Sequence, residues 1–580
     1  MRRTLFSASA IVLLLSACAS APGDGAEASL RSGQGLEATT RYGSFLAGQA
    51  ALGDGRSAEA AAYFSRAQEE EAAFAAPDAA DPAFELLSER AFVAALLAGD
   101  VSRAAELAPQ GPEASEAGAR LGALTRAVEL IARGEGEGAY AILIGEEIGF
   151  PHKTAAVLLA PWAAAIAKDV ERSLVRPEIR GDRLVEYVGQ FGQAALFERA
   201  GRYDEAETDL KALALGERAT DMAIVAYGGF LERRGRGREA VALYDAALAR
   251  DPRGAALEAA LKRARAHGKP PRAPSLREGA AQTLLTPAAA LIAAEQKQLA
   301  LAYLRLALRL DPRRSEAWLM VGDLLAAGGD LSAAAEAYGK VASSSPDYVA
   351  AQAKLAWAHQ GAGDSQRALS LAESSARGGS LEAQLTYADL LRANERYAES
   401  AEILTRLIAA EGQPDWRLLY ARGVAYERTG KWAEAEADLK AALALEPDEP
   451  ELLNYLGYSW IDRGENLKEA LSMVERAVAA NPRNGAMIDS LAWAHYRLGD
   501  YPKAVELLEQ AVELEAGDPE INLHLGDAYW RVGRRDEAGF QWKRVLTLEP
   551  DARIKGLAEA RLAPPGGLPE ASIAPAPQRP

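Results

Sequence analysis

The chain has 580 residues, with 65 Lys and Arg against 82 Asp and Glu, and its net charge of −17 excludes nucleic acid and anionic lipid surfaces as bulk-charge partners, since both demand clustered cations. Hydrophobic residues make up 49% and charged residues 25%, enough for a packed interior, and a chain of this size is expected to divide into several domains or an elongated array. The single Cys excludes an intramolecular disulfide and any Cys2His2-type zinc site.

At the N-terminus, Arg2 and Arg3 precede a largely apolar run from Leu5 to Leu15, which ends in Leu15-Ser16-Ala17-Cys18. So short a run cannot span a ~30 Å hydrocarbon core, and residues 1–17 are expected to be a cleaved secretory signal. The segment resembles a bacterial lipoprotein signal, which implies lipidation of Cys18 and a membrane anchor. Ala19 rather than Asp follows the cysteine. By the sorting rule of such lipoproteins, that residue implies the periplasmic face of the outer membrane. Each buried CH2 contributes roughly 0.8 kcal/mol, so several acyl chains anchor stably. Residues 18–38, rich in Ala, Ser and Gly, read as a flexible tether. The longest later apolar stretch, Ala155–Ala167, contains Pro161 and is expected to be a buried helix rather than a span.

A repeating pattern fills most of the remaining length. Over 39–266 it is degraded: Gly48, Gly55, Ala60, Phe64 and Ala67 form one unit, Ala194, Gly201, Ala206 and Leu210 another, and Gly228, Gly235, Ala240, Tyr244 and Pro252 a third. Between 92 and 164 the register is open, with Ala127, Gly134 and Ala139 as one helical unit. Residues 267–279, rich in Pro and Gly, are expected to join this array to a second one over 280–562. There the pattern is plain. Small residues recur at Gly322, Ala356, Ala388, Gly423, Gly457, Ala492 and Gly526, at steps of 32 to 35. A turn residue follows each after seven positions, at Gly329, Gly363, Glu395, Gly430, Gly464, Gly499 and Gly533. A second small residue follows at Ala334, Ala368, Ser400, Ala435, Ala470, Ala504 and Ala538, and Pro312, Pro346, Pro447, Pro482 and Pro550 close units. Small residues let two helices cross closely, Gly accepts the turn and Pro stops the second helix. The Pro-rich residues 563–580 read as an extended tail.

A helix-turn-helix of about 34 residues with these offsets resembles the tetratricopeptide repeat, most clearly from Trp416 to Pro447. The resemblance implies an all-α superhelical solenoid of roughly a dozen units, each burying its apolar face by stacking on its neighbours. It also implies that the first helix of each unit lines a concave wall. Carried over unit by unit, the protein-binding groove residues are Trp357, then Tyr420, Glu427 and Arg428, then Asn454, Tyr458 and Asp462, then Asp489, Trp493, Tyr496 and Arg497, then Asp527, Trp530 and Arg531. Aromatics and Arg interleaved with Asn and Asp suit a peptide, because they join rigid contact area to directional hydrogen bonding.

The search for chemistry finds little. His359 and His495 occupy the repeat position of Tyr426 and Tyr529, where packing accounts for them, while His152, His267 and His524 have no metal-binding neighbour at i+4. Gly235-Arg236-Gly237-Arg238-Glu239-Ala240 fits a dinucleotide-loop spacing but has no strand before it. No catalytic residue, metal or cofactor is expected, and the chain reads as a binding protein rather than an enzyme.

Three stretches, Leu453–Ser459, Asp489–Trp493 and Asn522–Gly533, resemble the C-terminal portion of large proteobacterial tetratricopeptide lipoproteins. In one branch of that group the lipoprotein is an adaptor that binds a carboxyl-terminal processing protease and delivers cell-wall hydrolases to it. The resemblance implies protein partners of that kind. The alternative is a scaffold for outer-membrane assembly or polysaccharide export.

Overall fold

The computed structural model describes residues 40–74, 82–111, 114–217, 219–250, 254–410, 412, 415–564 and 566–568. The signal segment 1–17, Cys18 and the 18–38 tether lie outside the described residues, as does the tail from 569 on. Among the described residues the chain is helical with no strand, and no helix is long and apolar enough to cross a membrane. Two compact units divide at Leu390–Leu391. Residues 267–279 fall inside the first unit.

The first unit contains α1 (Arg41–Gly53), α2 (Ser57–Phe74), α3 (Pro82–Ala98), α4 (Val101–Leu107), α5 (Glu116–Arg133), α6 (Gly136–Ile144), α7 (Lys153–Ile166), α8 (Val170–Ser173), α9 (Arg183–Arg199), α10 (Tyr203–Leu215), α11 (Asp221–Arg233), α12 (Gly237–Leu248), α13 (Ala255–Arg265), α14 (Leu276–Ala293), α15 (Lys297–Leu310), α16 (Ser315–Ala327), α17 (Leu331–Gly339), α18 (Tyr348–Gly361), α19 (Ser365–Ala376) and α20 (Leu381–Ala393). The second contains α21 (Tyr397–Ala410), α22 (Trp416–Arg428), α23 (Trp432–Leu445), α24 (Pro450–Arg463), α25 (Leu467–Ala480), α26 (Gly485–Leu498), α27 (Tyr501–Leu514), α28 (Pro519–Arg531), α29 (Arg535–Val545) and α30 (Ala552–Leu562).

Each repeat is a hairpin whose turn the sequence marks. The turn glycines from Gly329 to Gly533 take φ between 74° and 87°, and Glu395 in the same place takes 59°. Left-handed backbone at a non-glycine residue is uncommon, so the architecture imposes it there. The same signature reveals units without a turn glycine. Lys168 has φ 65° and lies seven residues after Pro161, and Glu295 has φ 58° and lies seven after Ala288. With Phe92 and Gly99 they settle the register: Phe92, Ala127, Pro161 and Ala194 follow at steps of 35, 34 and 33, and Ala288 precedes Gly322 by 34.

The small ladder residue of the first helix faces the residue sixteen positions later on the second, and in several units the two sizes compensate. In four units a ladder Gly lies under a large ring, Phe64 over Gly48, Tyr244 over Gly228, Tyr338 over Gly322 and Trp542 over Gly526, whereas Gly423 meets Leu439 and Gly457 meets Val474 and Met473. A Cβ on Gly322 would stand 2.3 Å from the Tyr338 ring, and one on Gly526 2.5 Å from Trp542. Where the ladder residue is Ala, the partner shrinks to Leu in most units, as at Ala127 with Leu143 and Ala492 with Leu508. Where it is Phe92, the partner is Ala108. In the units that follow it, trading size between the two positions keeps interior density without voids.

Contacts in the first unit also run far beyond neighbouring repeats. The ladder step from Gly228 to Ala288 is 60, so α13 and the Pro-rich connection after it take the next hairpin out of the row. That hairpin packs back on earlier helices, α15 against α3, α4 and α5, and α14 against α7 and α9. Gly279 lies flat on Trp162, where a Cβ would stand 2.0 Å from the ring. Arg309 reaches the buried Glu129 through Nε at 2.8 Å and Nη2 at 3.0 Å, and Arg133 adds a third bond at 2.8 Å. Burial opposes the charge on Glu129, but the two guanidiniums outweigh it and hold the carboxyl below its ordinary value. Arg305 donates to the Leu97 carbonyl at 2.9 Å, and His152 lies 3.0 Å from the Tyr303 hydroxyl, its pKa driven down to about 4 by burial and then by Arg120. Stacking on neighbours alone, as the repeat pattern implies, thus does not describe this unit.

Gly322→Ala is expected to cost about 1–3 kcal/mol of unfolding free energy in denaturant titration by forcing Tyr338 aside. Adding Tyr338→Leu, which recreates the Ala and Leu pairing of other repeats, should recover most of it, and a double variant no better than the single would refute the size match.

Candidate protein-binding wall

The wall of the second unit is carried by α22, α24, α26 and α28, with α30 packed beside α28. Local sequence sets each helix start. Pro450 and Pro519 occupy first-turn positions where no N–H is needed, Asn484 accepts from the Met487 N–H, and Asp518 accepts from those of Glu520 and Ile521. The left-handed Gly464 and Gly499 end α24 and α26.

Tyr420 is half-buried and meets Tyr455 edge-on, with centroids 5.5 Å apart, and burial raises its hydroxyl pKa to about 12. Arg428 is exposed, 3.8 Å from Glu427. Asn454 keeps a buried Oδ1 without a hydrogen-bond partner. The Tyr458 hydroxyl donates to Glu520 at 3.3 Å, and Arg553 of α30 donates to the same carboxylate at 2.6 Å. Arg497 donates to the Asp462 carbonyl at 2.7 Å, and Arg531 to the Tyr496 hydroxyl at 3.1 Å.

Trp493 sits at the centre. Its ring stacks on Tyr496 at 4.4 Å and on His524 at 4.0 Å, nearly parallel to both, and Tyr501 closes on Tyr496 edge-on at 5.3 Å. Four rings from three helices form one stack, and its stiffness comes from offset π contacts.

Two residues expected in the groove are spent inside the wall instead. Asp489 is buried and accepts from His524 Nδ1 through both oxygens, at 2.9 and 3.0 Å. Asp527 is 1% exposed and accepts from Nε and Nη2 of Arg561, each at 2.5 Å, and from Trp542 Nε1 at 2.9 Å. A buried carboxylate needs such partners, so these two hold helices together and do not face a ligand. Tyr420, Asn454, Tyr458, Trp493, Tyr496, Arg497, Trp530 and Arg531 are half-buried on the same set of helices, with Arg428 and Asp462 exposed. Trp357 belongs to the first unit, where it packs against Ala356, Ala368 and Ala372.

The pairing of His524 with Asp489 was not expected from the sequence. The signal was present, because Asp489 precedes it by 35, one repeat. Also unforeseen is a cavity of about 790 Å³ in the first unit, lined by Trp162, Phe191, Met222, Val225, Gln282 and Arg314. Gln282 spans it, donating to Met222 Sδ at 3.0 Å and accepting from Arg314 at 2.9 Å. Among the described residues, no three His, Cys, Asp or Glu side chains group in a metal-binding arrangement.

The architecture is a tetratricopeptide-repeat solenoid, and residues 275–550 match the tetratricopeptide repeat family. A TPR repeat-containing protein of Pseudomonas aeruginosa is 37% identical over 113 residues, covering 20% of this chain and 19% of that protein. The chain thus spans about a fifth of the length of this relative. Among solved structures, a tetratricopeptide repeat protein from Parabacteroides merdae is 17% identical, covering 42% of this chain and 97% of that one with a TM-score of 0.36. The hetero-tetramer Cut9-Hcn1 of the APC/C gives 14% identity, 90% and 96% coverage and a TM-score of 0.37. A thermophilic TPR protein of Thermus thermophilus gives 26%, 30%, 96% and 0.28 in the same order. Tetratricopeptide repeats imply a protein-protein interaction scaffold.

The His524 pair gives the wall a pH dependence. Burial disfavours the imidazolium, but Asp489, with Glu520 and Asp527 behind it, outweighs burial and raises the pKa above its ordinary value. The stabilisation is complete below the unfolded pKa of about 6.5 and is lost as pH rises through the higher folded value. Between pH 6 and pH 9 the denaturation midpoint of the native chain should therefore fall further than that of His524→Gln. Equal falls would remove the ion-pair assignment.

Proposed function

We propose that the chain is a lipid-anchored protein-interaction scaffold at the periplasmic face of the outer membrane, an adaptor that presents cell-wall hydrolases to a carboxyl-terminal processing protease without cutting them itself. The carrying observation is the inner wall of the second unit. Stacked Trp493, Tyr496 and His524 share first helices with Arg497 and Arg531, and Arg428 lies exposed on α22, a surface that offers contact area at small entropic loss together with forked donors for peptide carbonyls and carboxylates. The adaptor role draws its support from the three C-terminal stretches that resemble such lipoproteins, and the address from the Leu15–Cys18 motif with Ala19 after it.

Affinity capture from detergent-solubilised envelopes tests this reading. The native chain should bring down a periplasmic protease and cell-wall hydrolases. Arg428→Glu with Arg497→Glu should lower recovery at least tenfold while leaving helical circular dichroism unchanged. Cys18→Ala should move the mature chain to the soluble fraction. Recovery of assembly or export machinery instead, or capture indifferent to the charge reversal, would overturn the adaptor role or the wall respectively.

A further inference from the structure

After α30 the chain does not leave the fold. Gly566 and Gly567 both take left-handed backbone, φ 82° and 92°, and turn it back. The turn is closed by bonds from the Gly566 N–H to the Ala563 carbonyl and from the Gly567 N–H to the Arg561 carbonyl, each 2.7 Å. Gly567 then lies on Trp530 so closely that a Cβ would stand 1.9 Å from the indole, and Leu568 packs against the core of the second unit. The other aromatic neighbour of Trp530 is Trp542 at 5.6 Å, and Arg535 covers the ring at 5.0 Å. A tail with no business on the wall needs no such root.

The next residues are Pro569-Glu570-Ala571-Ser572-Ile573-Ala574-Pro575-Ala576-Pro577-Gln578-Arg579-Pro580. We propose that this segment docks along the inner wall of its own second unit, from Trp530 past Tyr496 and Tyr458 toward Tyr420, and competes with client peptides. Proline-rich segments bind aromatic-lined grooves because their polyproline conformation loses little entropy on docking. At ~3.1 Å per residue the segment reaches ~37 Å, and the four first helices, packed 8–10 Å apart, extend over a distance on the order of 30 Å. Tethering supplies an effective concentration of about 1 mM. An intrinsic dissociation constant of ~100 μM would then keep the tail on the wall ~10:1 and weaken a client by about tenfold.

This proposal rests on the wall being a peptide surface, and the experiment separates the two. A fluorescein-labelled peptide of residues 569–580 is titrated into the chain ending at Leu568 and into the full-length chain. Saturable binding to the truncated chain, about tenfold weaker to the full-length chain and weakened again by Pro575→Gly with Pro577→Gly in the peptide, is the expected result. Equal affinity for the two chains, or none for the truncated one, overturns the self-docking. So does a full-length dimer that becomes monomeric on truncation, which would place the tail on a second copy. If truncation leaves client capture unchanged while Arg428→Glu with Arg497→Glu still abolishes it, the tail proposal alone falls. If the charge reversal has no effect, the wall reading falls first.

Discussion

The distance of closest approach between the two helices of each hairpin governs the rest of the structure. It depends on a pair of residues sixteen apart, which the chain fills with Gly under Phe, Tyr or Trp in four units, with Gly against Leu439 or Met473 and Ala against Leu or Ala372 in others, and with Phe92 and Ala108 in one. Since interiors tolerate neither overlap nor empty volume, the side chains at that crossing decide how closely the two helices of each unit stand. The turn geometry obeys that placement even without glycine, which is why Lys168, Glu295 and Glu395 take left-handed backbone.

With the hairpins fixed, contacts between successive first helices become a second repeating rule. Polar pairs in the wall are one period apart: Asp489 with His524, Tyr496 with Arg531, the Asp462 carbonyl with Arg497, and Asp527 with Arg561. In the first unit Glu198 and Arg233 repeat it. Each bond runs from one helix to its successor, so the wall is cross-braced along its length. Burying Asp489 and Asp527 with partners avoids the cost of an isolated charge and gives rigidity to the aromatics between them. A preorganised wall loses less conformational entropy when a peptide arrives.

Much of this was legible in the amino-acid order. The ladder residues, the turns and the second small positions are local features, readable because a hairpin closes within sixteen residues. The degraded part between 92 and 164 resisted because Phe92 and Pro161 stand where small residues were sought, and Lys168 where glycine was. The return of α14 and α15 onto α3, α4, α5 and α7 resisted for another reason. Its contacts, Arg309 with Glu129 and Arg305 with the Leu97 carbonyl, join residues about two hundred apart with no periodic mark. The expected groove residues of the second unit lie on its first helices. That expectation failed to separate residues that face outward from Asp489 and Asp527, because period alone does not say which partner the next repeat supplies.

The account's central claim is that clients touch the first helices of the second unit. Site-specific photo-cross-linking tests it most directly, with a benzophenone residue placed in turn at Tyr458, Tyr496 and Arg428 on the wall and at the exposed Glu475 and Glu506 on second helices. Adducts with a periplasmic partner from the three wall positions and none from the other two are the predicted result. Adducts arising chiefly from Glu475 or Glu506 would contradict it.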